Sequence, residues 1–430
     1  MISSDQVTLQ QTAPEHSKFT IECVQCGTRC LDDSLTCTND SSLLRAKYSA
    51  RQLHLHDCSG VGRFHDWLPI SEPLTTDSGP ITYKSTGLAR ELGLSNLYIG
   101  FNGYWPERDA HILTCSFKEL EAYPTMQRLR ELGKKKLVLA SAGNTARAFS
   151  HAAIGSDIEL YIVVPGSGLE KMWLPEVPTD NIHFISMANT CDYTDAIQLA
   201  DRIAALPGMT PEGGARNVAR RDGMGTVMLD GTVTMDRMPD HYFQAIGSGT
   251  GGIAAWEASL RLQGDGRFGS RLPRLHLSQN MPFAPMFSAW QNRRRNIIED
   301  LDMPYPKQQI SQMYADVLSN RKPPYSAPGG VFDALSATDG NVYGIRNSEA
   351  ETSRKLFEAL EGIDIVAPAG VAVASLVKAV EDGNIERDDH ILLNITGGGF
   401  KRLKEDYTLY NIKPEVQFNS LDADIDQLFL

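Results

Sequence analysis

The chain has 430 residues, 42% hydrophobic and 22% charged, the balance of a globular enzyme with material for two domains, three at most. A formal net charge of −12 argues against a nucleic-acid partner, because binding phosphates across a surface asks for the opposite sign. No run of about 18 apolar residues occurs, so no membrane span is expected.

The chain opens on "MISSDQVTLQQTAPEHSK", which is polar and lacks the apolar core of a signal peptide. A cytoplasmic location is the expectation. Residues 19–58 carry a cluster of cysteines and histidines, with the spacing Cys23-x2-Cys26-x3-Cys30-x6-Cys37. Seven cysteines in a chain of this length do not make a disulfide framework. Cys-x-x-Cys-Gly has the shape of a zinc knuckle, whose glycine permits the tight turn behind the thiolates. A second Cys-x-x-Cys should close a ribbon. Here that half reads "CTND", with Asn39 and Asp40 and no second cysteine. Zinc at Cys23, Cys26 and Cys37 would need a fourth ligand from Cys30, His54, His56 or Cys58. A degenerate ribbon without metal is the preferred reading.

From about residue 80, strand-like runs alternate with helical patterns. "NLYIGF" predicts a strand, and "KKKLVLASAGNTARAFSHAAI" a strand, a turn and a helix. "IELYIVVP" and "NIHFISM" are strands, and "YTDAIQLADRIAAL" is an amphipathic helix. "HYFQAIGSGTGGIAAWEASLRL" is again strand, glycine loop and helix. "PRLHLSQ" predicts a strand, "SEAETSRKLFEAL" and "GVAVASLVKAVEDG" helices, and "HILLNITGGG" a closing strand. This alternation predicts an α/β fold of parallel sheets with helices on both faces. "SNRKPPYSAPGG", residues 319–330, is a Pro- and Gly-rich loop expected to line or cover something.

Three glycine-bearing turns and one lysine carry the chemistry. "AIGSGTGGIAAWEA" runs a strand through Gly247, Ser248, Gly249, Thr250, Gly251 and Gly252 into a helix. Glycines let several backbone N–H groups converge on a phosphate. The match to Gly-x-Gly-x-x-Gly is loose, and no Walker Gly-Lys-Ser/Thr follows. "SAGNTARAFS" places Ser141, Asn144 and Thr145 at the C-terminal edge of a sheet, where α/β proteins bind ligands. Helix capping by Asn144 is the plainer alternative. "NITGGGFK" delivers Thr396 from a buried strand to a glycine turn. In "ILTCSFKELEA", Lys118 follows Thr114, Cys115, Ser116 and Phe117 and begins an acidic helix.

The order Ser-Phe-Lys, Ser-x-Gly-Asn, Gly-Ser-Gly-Thr-Gly-Gly, Thr-Gly-Gly-Gly resembles that of pyridoxal-phosphate (PLP) enzymes of fold type II, the relatives of tryptophan synthase β, cysteine synthase and threonine synthase. The resemblance covers about residues 20–405, and the cysteine knuckle is similar to that of threonine synthase in particular. It implies two open parallel-sheet domains behind a Cys-rich segment: residues 1–60 for that segment, 61–117 and 237–430 for a large cofactor-binding domain, 118–236 for a smaller domain that closes over substrate. It further implies Lys118 as the Schiff-base lysine and the base for the substrate α-proton. By the same resemblance Gly247, Ser248, Gly249, Thr250 and Gly251 would hold the cofactor phosphate, Asn144 would bond the ring oxygen, and Thr396 would bond the ring nitrogen as a neutral hydroxyl.

The departures from threonine synthase surround the substrate. Cys115 replaces a glycine, Glu119-Leu120 replace Asp-Arg, and "WPERDAHILTC" is longer than the usual segment. Arg147 stands where a small residue is usual, Arg216, Arg220 and Arg221 cluster in "GARNVARRDGMGT", and Gly398 replaces a histidine. An intact cofactor site beside a rewritten substrate site suggests the same chemistry on another substrate. The whole length, including "TCSFKELEAYPTMQRLRELG", resembles the archaeal cysteate synthases of coenzyme M biosynthesis. That resemblance implies a transferase converting O-phospho-L-serine and sulfite to L-cysteate and phosphate, with sulfite adding to an aminoacrylate. Thr114, Ser116, Ser141, Thr145, Arg147, Lys171 and Arg216 are the expected substrate-side residues, since arginines bind phosphate and sulfonate oxygens in bidentate fashion. Cys115 is expected to be a packing residue, and the family implies a homo-oligomer. Threonine synthase, cysteine synthase and a non-catalytic binding protein are the competing readings.

Overall fold

A computed structural model describes residues 17–141, 143–421 and 424–425. Most of the polar N-terminal stretch examined for a signal peptide lies outside the described residues. The first element is a three-stranded antiparallel sheet, Arg29–Cys30, Phe19–Cys23 and Leu44–Tyr48 in spatial order. Its alternation turns Phe19, Ile21, Cys23, Leu44 and Ala46 inward, into a small apolar core shared with Cys37.

Two larger sheets follow. One has six strands in the order Asn341–Ile345, Arg274–Asn280, His241–Ala245, His390–Ile395, Asn96–Phe101 and Ile81–Lys84. All pairs are parallel except the last, an antiparallel edge. The other is a five-stranded parallel sheet, Met209–Pro211, Lys136–Ala140, Glu159–Val164, Ile182–Met187 and Val416–Phe418. The strands are apolar on both faces because helices cover both, as parallel sheets require. The division at Asp236 assigned Val416–Phe418 to the large domain, yet it pairs with Ile185–Met187 of the second sheet. The run is only three residues long, too short to carry a strand signal of its own.

Against the six-stranded sheet lies the helix Val218–Met235, buried on nearly every side. It packs on Lys118–Glu131 and on Thr250–Asp265. Gly223 sets the first approach: a Cβ there would stand 1.9 Å from the Leu120 carbonyl oxygen. The fully buried pair Arg221 Nε–Glu257 Oε2, 2.9 Å, joins two of these helices. Arg45 reaches the same carboxylate at 3.2 Å and ties the N-terminal sheet to them.

Candidate active site

Parallel strands deliver their C-terminal ends to one edge, and here three such ends face a common cavity. Ala140 leads into Ser141, Gly143 and Asn144; Ala245 leads into the glycine loop; Ile395 leads into Thr396. Lys118, Asn144, Thr396 and the loop Gly247–Gly251 all line that cavity, with Ser141 and Thr145. Val317, Leu318, Ser319 and Asn320 complete the wall. The Pro- and Gly-rich loop thus begins at the cavity.

The glycine loop is a cradle. Gly249 has φ +84°, and a Cβ there would meet Val331 Cγ2 at 2.3 Å. A Cβ on Gly251 would come within 2.1 Å of Gln244 Nε2. Gln244 cannot yield, being held by the Tyr242 hydroxyl (2.7 Å) and Asn394 Nδ2 (3.1 Å), both donating to its Oε1. The helix Thr250–Asp265 starts at the loop, so its first amides lack intrahelical partners and point their dipole at the cavity. Backbone N–H groups, no obstructing side chain and a helix N-terminus fit a phosphate monoester. Gly251→Ala is expected to cost about 1–3 kcal/mol of cofactor affinity, roughly five- to 150-fold, by overpacking against Gln244. Titration of stripped protein with pyridoxal phosphate measures it.

Lys118 occupies the first turn of its helix. The preceding Cys115 has φ +53°, a left-handed conformation that explains the glycine found there in the resembled family. Cys115 is buried, its thiol pushed well up by desolvation, which agrees with a packing role. The Thr396 turn presses on this segment. Phe117 N donates to Thr396 O at 3.1 Å, and a Cβ on Gly397 would meet Cys115 O at 2.4 Å. Gly398 has no room for the histidine it replaces, because even a Cβ would stand 2.5 Å from Asp364 O.

The Lys118 amine is largely buried, and desolvation lowers its pKa; the Glu121 carboxylate opposes that shift and Arg220 adds to it. Lys118 Nζ donates to Glu121 Oε2 at 3.3 Å. Arg220 Nε reaches the same oxygen at 3.0 Å, and Thr145 Oγ1 donates to Oε1 at 3.2 Å. Arg220 Nη1 also bonds Glu212 Oε2 at 2.6 Å. Glu212 is buried, and desolvation raises its pKa against the pull of Arg220. Lys118 and Arg220 thus share Glu121, and Arg220 also pairs with Glu212, at the cavity wall. Glu121→Gln removes the charge that opposes the lowering of the lysine pKa. In cofactor-free protein, the rate of covalent pyridoxal-phosphate capture is expected to rise with pH through the Lys118 pKa, and the variant's rise should begin at lower pH.

The expected substrate-side residues divide. Ser141 and Thr145 face the cavity, with Ser141 Oγ accepting from Gly143 N (3.1 Å) and Ala146 N (3.0 Å). Thr114 and Ser116 are buried beside the lysine turn: Thr114 N donates to Glu119, and Ser116 Oγ accepts from Lys118 N at 3.4 Å. Arg147 is buried behind the site, its pKa lowered by desolvation to about 10. It stacks on Trp173, 4.6 Å from the ring centre, and donates to Asn144 Oδ1 at 2.7 Å and Lys171 O at 2.8 Å. Arg147 thus orients Asn144 and does not face the cavity. Lys171 lines a second cavity that shares Tyr193 and Ser319 with the first, and its amine meets Asp316 at 2.5 Å. Arg216 is exposed on the turn Gly214–Arg216, away from the cavity. The cavity-lining arginine is Arg220, one helical turn on. Glu121, Glu212, Tyr193 and Gln244 were not singled out in the sequence; an acidic residue three positions after the lysine was the available signal for Glu121.

The family described as "Pyridoxal-phosphate dependent enzyme" matches residues 84–397, and the chain belongs to it. The solved structure of diaminopropionate ammonia lyase from Escherichia coli superposes with a TM-score of 0.55 at 14% identity, over 76% of this chain and 86% of that one. A pyridoxal 5'-phosphate-dependent aspartate racemase gives 0.53 at 15%, over 74% and 90%. The fold is accordingly type II. Within that class the chain belongs with the cysteate synthases. That of Methanosarcina acetivorans is 62% identical over 96% of this chain and 100% of its own length. That of Methanosarcina mazei is 63% identical over 96% and 99%, and that of Methanocella arvoryzae 55% over 96% and 98%.

Proposed function

We propose that the protein makes L-cysteate from O-phospho-L-serine and sulfite with release of phosphate. The reading is carried by identities of 62% and 63% to cysteate synthases over 96% of the chain, on a chain whose buried lysine faces a phosphate cradle. Overall, the β-carbon to oxygen bond of phosphoserine breaks and a carbon–sulfur bond to sulfite forms.

Bound pyridoxal phosphate supplies an electron sink that makes the α-proton removable and the β-substituent expellable. Gly247–Gly251 and the Thr250 helix N-terminus would hold its phosphate. Thr396 would offer a neutral hydroxyl to the ring nitrogen, and Asn144, set by Arg147, would offer its amide to the ring oxygen. Lys118 takes the α-proton at Nζ, and its lowered pKa keeps neutral amine available. Phosphate departs as a stable anion and needs no strong acid. The N-terminus of the helix Asn144–Ala153 faces the cavity and suits an anionic substrate group. Lys171 and Arg321, which line the adjoining cavity, provide cations for phosphate and sulfite. Leu318, 3.1 Å from a Cβ on Gly247, helps close the cradle against water.

Among the described residues no helix is long and apolar enough to cross a membrane, and none of the seven cysteines is in a disulfide. Both suit a cytoplasmic enzyme. The deciding assay follows phosphate release from O-phosphoserine with and without sulfite and identifies the amino-acid product. Sulfite-dependent release with cysteate formed is the expected result. Release from O-phosphohomoserine without sulfite would make the protein a threonine synthase, and cysteine formed from sulfide a cysteine synthase.

A further inference from the structure

We propose that Cys23, Cys26, Cys37 and Asp40 bind one zinc ion, with Asp40 as the fourth ligand. One ligand atom from each lies within 4.8 Å of all the others. Cys26 Sγ and Cys37 Sγ are 3.6 Å apart, and Cys23 Sγ is 3.5 Å from either Asp40 carboxylate oxygen. Tetrahedral zinc, with Zn–S about 2.3 Å and Zn–O about 2.0 Å, asks for S···S near about 3.8 Å and S···O near about 3.5 Å. The observed spacings are close to both.

The backbone is arranged for the same purpose. Cys23 Sγ accepts from Gln25 N and Cys26 N, each at 3.4 Å, and Cys37 Sγ accepts from Asn39 N at 3.4 Å. Amide-to-sulfur bonds of this kind stabilise thiolate charge. The two turns are parallel in sequence: Cys23-x-x-Cys26 and Cys37-x-x-Asp40. Asp40 stands where a ribbon's fourth cysteine would be, which is why counting cysteines favoured a metal-free reading. The other candidates for the fourth position are engaged elsewhere or lie outside the cluster. His54 and His56 meet Asp66 at 3.5 and 2.8 Å, and Cys30 Sγ donates to Thr28 O at 3.6 Å. Cys58 is exposed, outside the cluster. Three soft thiolates in a tetrahedral cluster select zinc over magnesium or calcium. Zinc enters with loss of three thiol protons to solvent and no redox change.

The ion would brace the knuckle against the active-site loop. A Cβ on Gly329 would stand 2.7 Å from Val24 Cγ2, and Leu43 N donates to Pro328 O at 3.2 Å. That contacted loop begins with Ser319 and Asn320 at the cavity.

The test uses full-length holoenzyme, metal-stripped and reloaded with zinc or cobalt under reducing conditions. Bound zinc is expected at about one per chain, and cobalt is expected to give visible tetrahedral bands with thiolate charge transfer. Asp40→Asn should weaken zinc binding about tenfold or more while preserving the fold, Cys37→Ser should abolish stoichiometric binding, and Cys58→Ser should leave it unchanged. Failure to bind zinc after reloading, a cobalt spectrum without thiolate bands, or full zinc content in Cys37→Ser would overturn the assignment. So would iron as the sole metal retained, or a Cys26–Cys37 disulfide in the protein as purified.

Discussion

Lys118→Ala is expected to lower turnover of phosphoserine with sulfite by about 10³-fold or more, because one amine both anchors the cofactor and carries the α-proton. Steady-state cysteate formation measures the loss. A second readout separates chemistry from folding. Borohydride should fix the cofactor to the peptide containing residue 118 in the parent protein and to no peptide in the variant. The thermal midpoint should change little, since the lysine is buried at a cost and its removal relieves that desolvation. A variant that kept substantial turnover would remove Lys118 from the chemistry altogether.

Arg220→Met should be the most destabilising of the changes considered, by about 3–5 kcal/mol, since it leaves the buried carboxylates of Glu121 and Glu212 without their shared cation. The effect carries a pH signature. Burial holds the folded-state pKa of Glu212 above its unfolded value, and Arg220 lowers it. Without the arginine that pKa rises further. A group raised in this way contributes stability at low pH that is lost as pH rises through the folded pKa. The deficit of the variant should therefore grow as pH rises above the ordinary carboxylate range and shrink as pH falls toward it. Urea unfolding midpoints across that range would show it, and a deficit independent of pH would mean that Glu212 carries no charge to compensate. Arg216→Met, on the exposed turn, should leave the midpoint where it is.

Much of this site was legible in the sequence because its parts are local. Ser-Phe-Lys, the asparagine turn, the glycine loop and the Thr396 turn each announce themselves within a few residues, and parallel-sheet topology then forces their ends together. What escaped depends on contacts between distant segments. Arg216 and Arg220 differ by four positions in one basic stretch, and only the start of the helix at Val218 decides which of them reaches the cavity. That helix lacks an apolar stripe because it is buried all round, so periodicity gave no warning of its position. Arg147 read as a substrate ligand by residue type, yet Trp173 and Asn144 claim it. Asp40 was visible in "CTND", but its nearness to three thiols is a property of the folded turns.

The strand Val416–Phe418 has a consequence for handling the protein. It covers the outer rim of Ile182–Met187, a segment in which Ile182, Phe184, Ile185 and Met187 are all buried. Clipping the tail upstream of residue 416 would bare a row of unpaired amides and carbonyls along an apolar ribbon, a template on which one molecule can recruit the next. A shortened chain should keep its chemistry in dilute solution and fail by self-association as concentration rises. Light scattering against protein concentration would reveal that failure, and affinity handles are better carried at the other terminus.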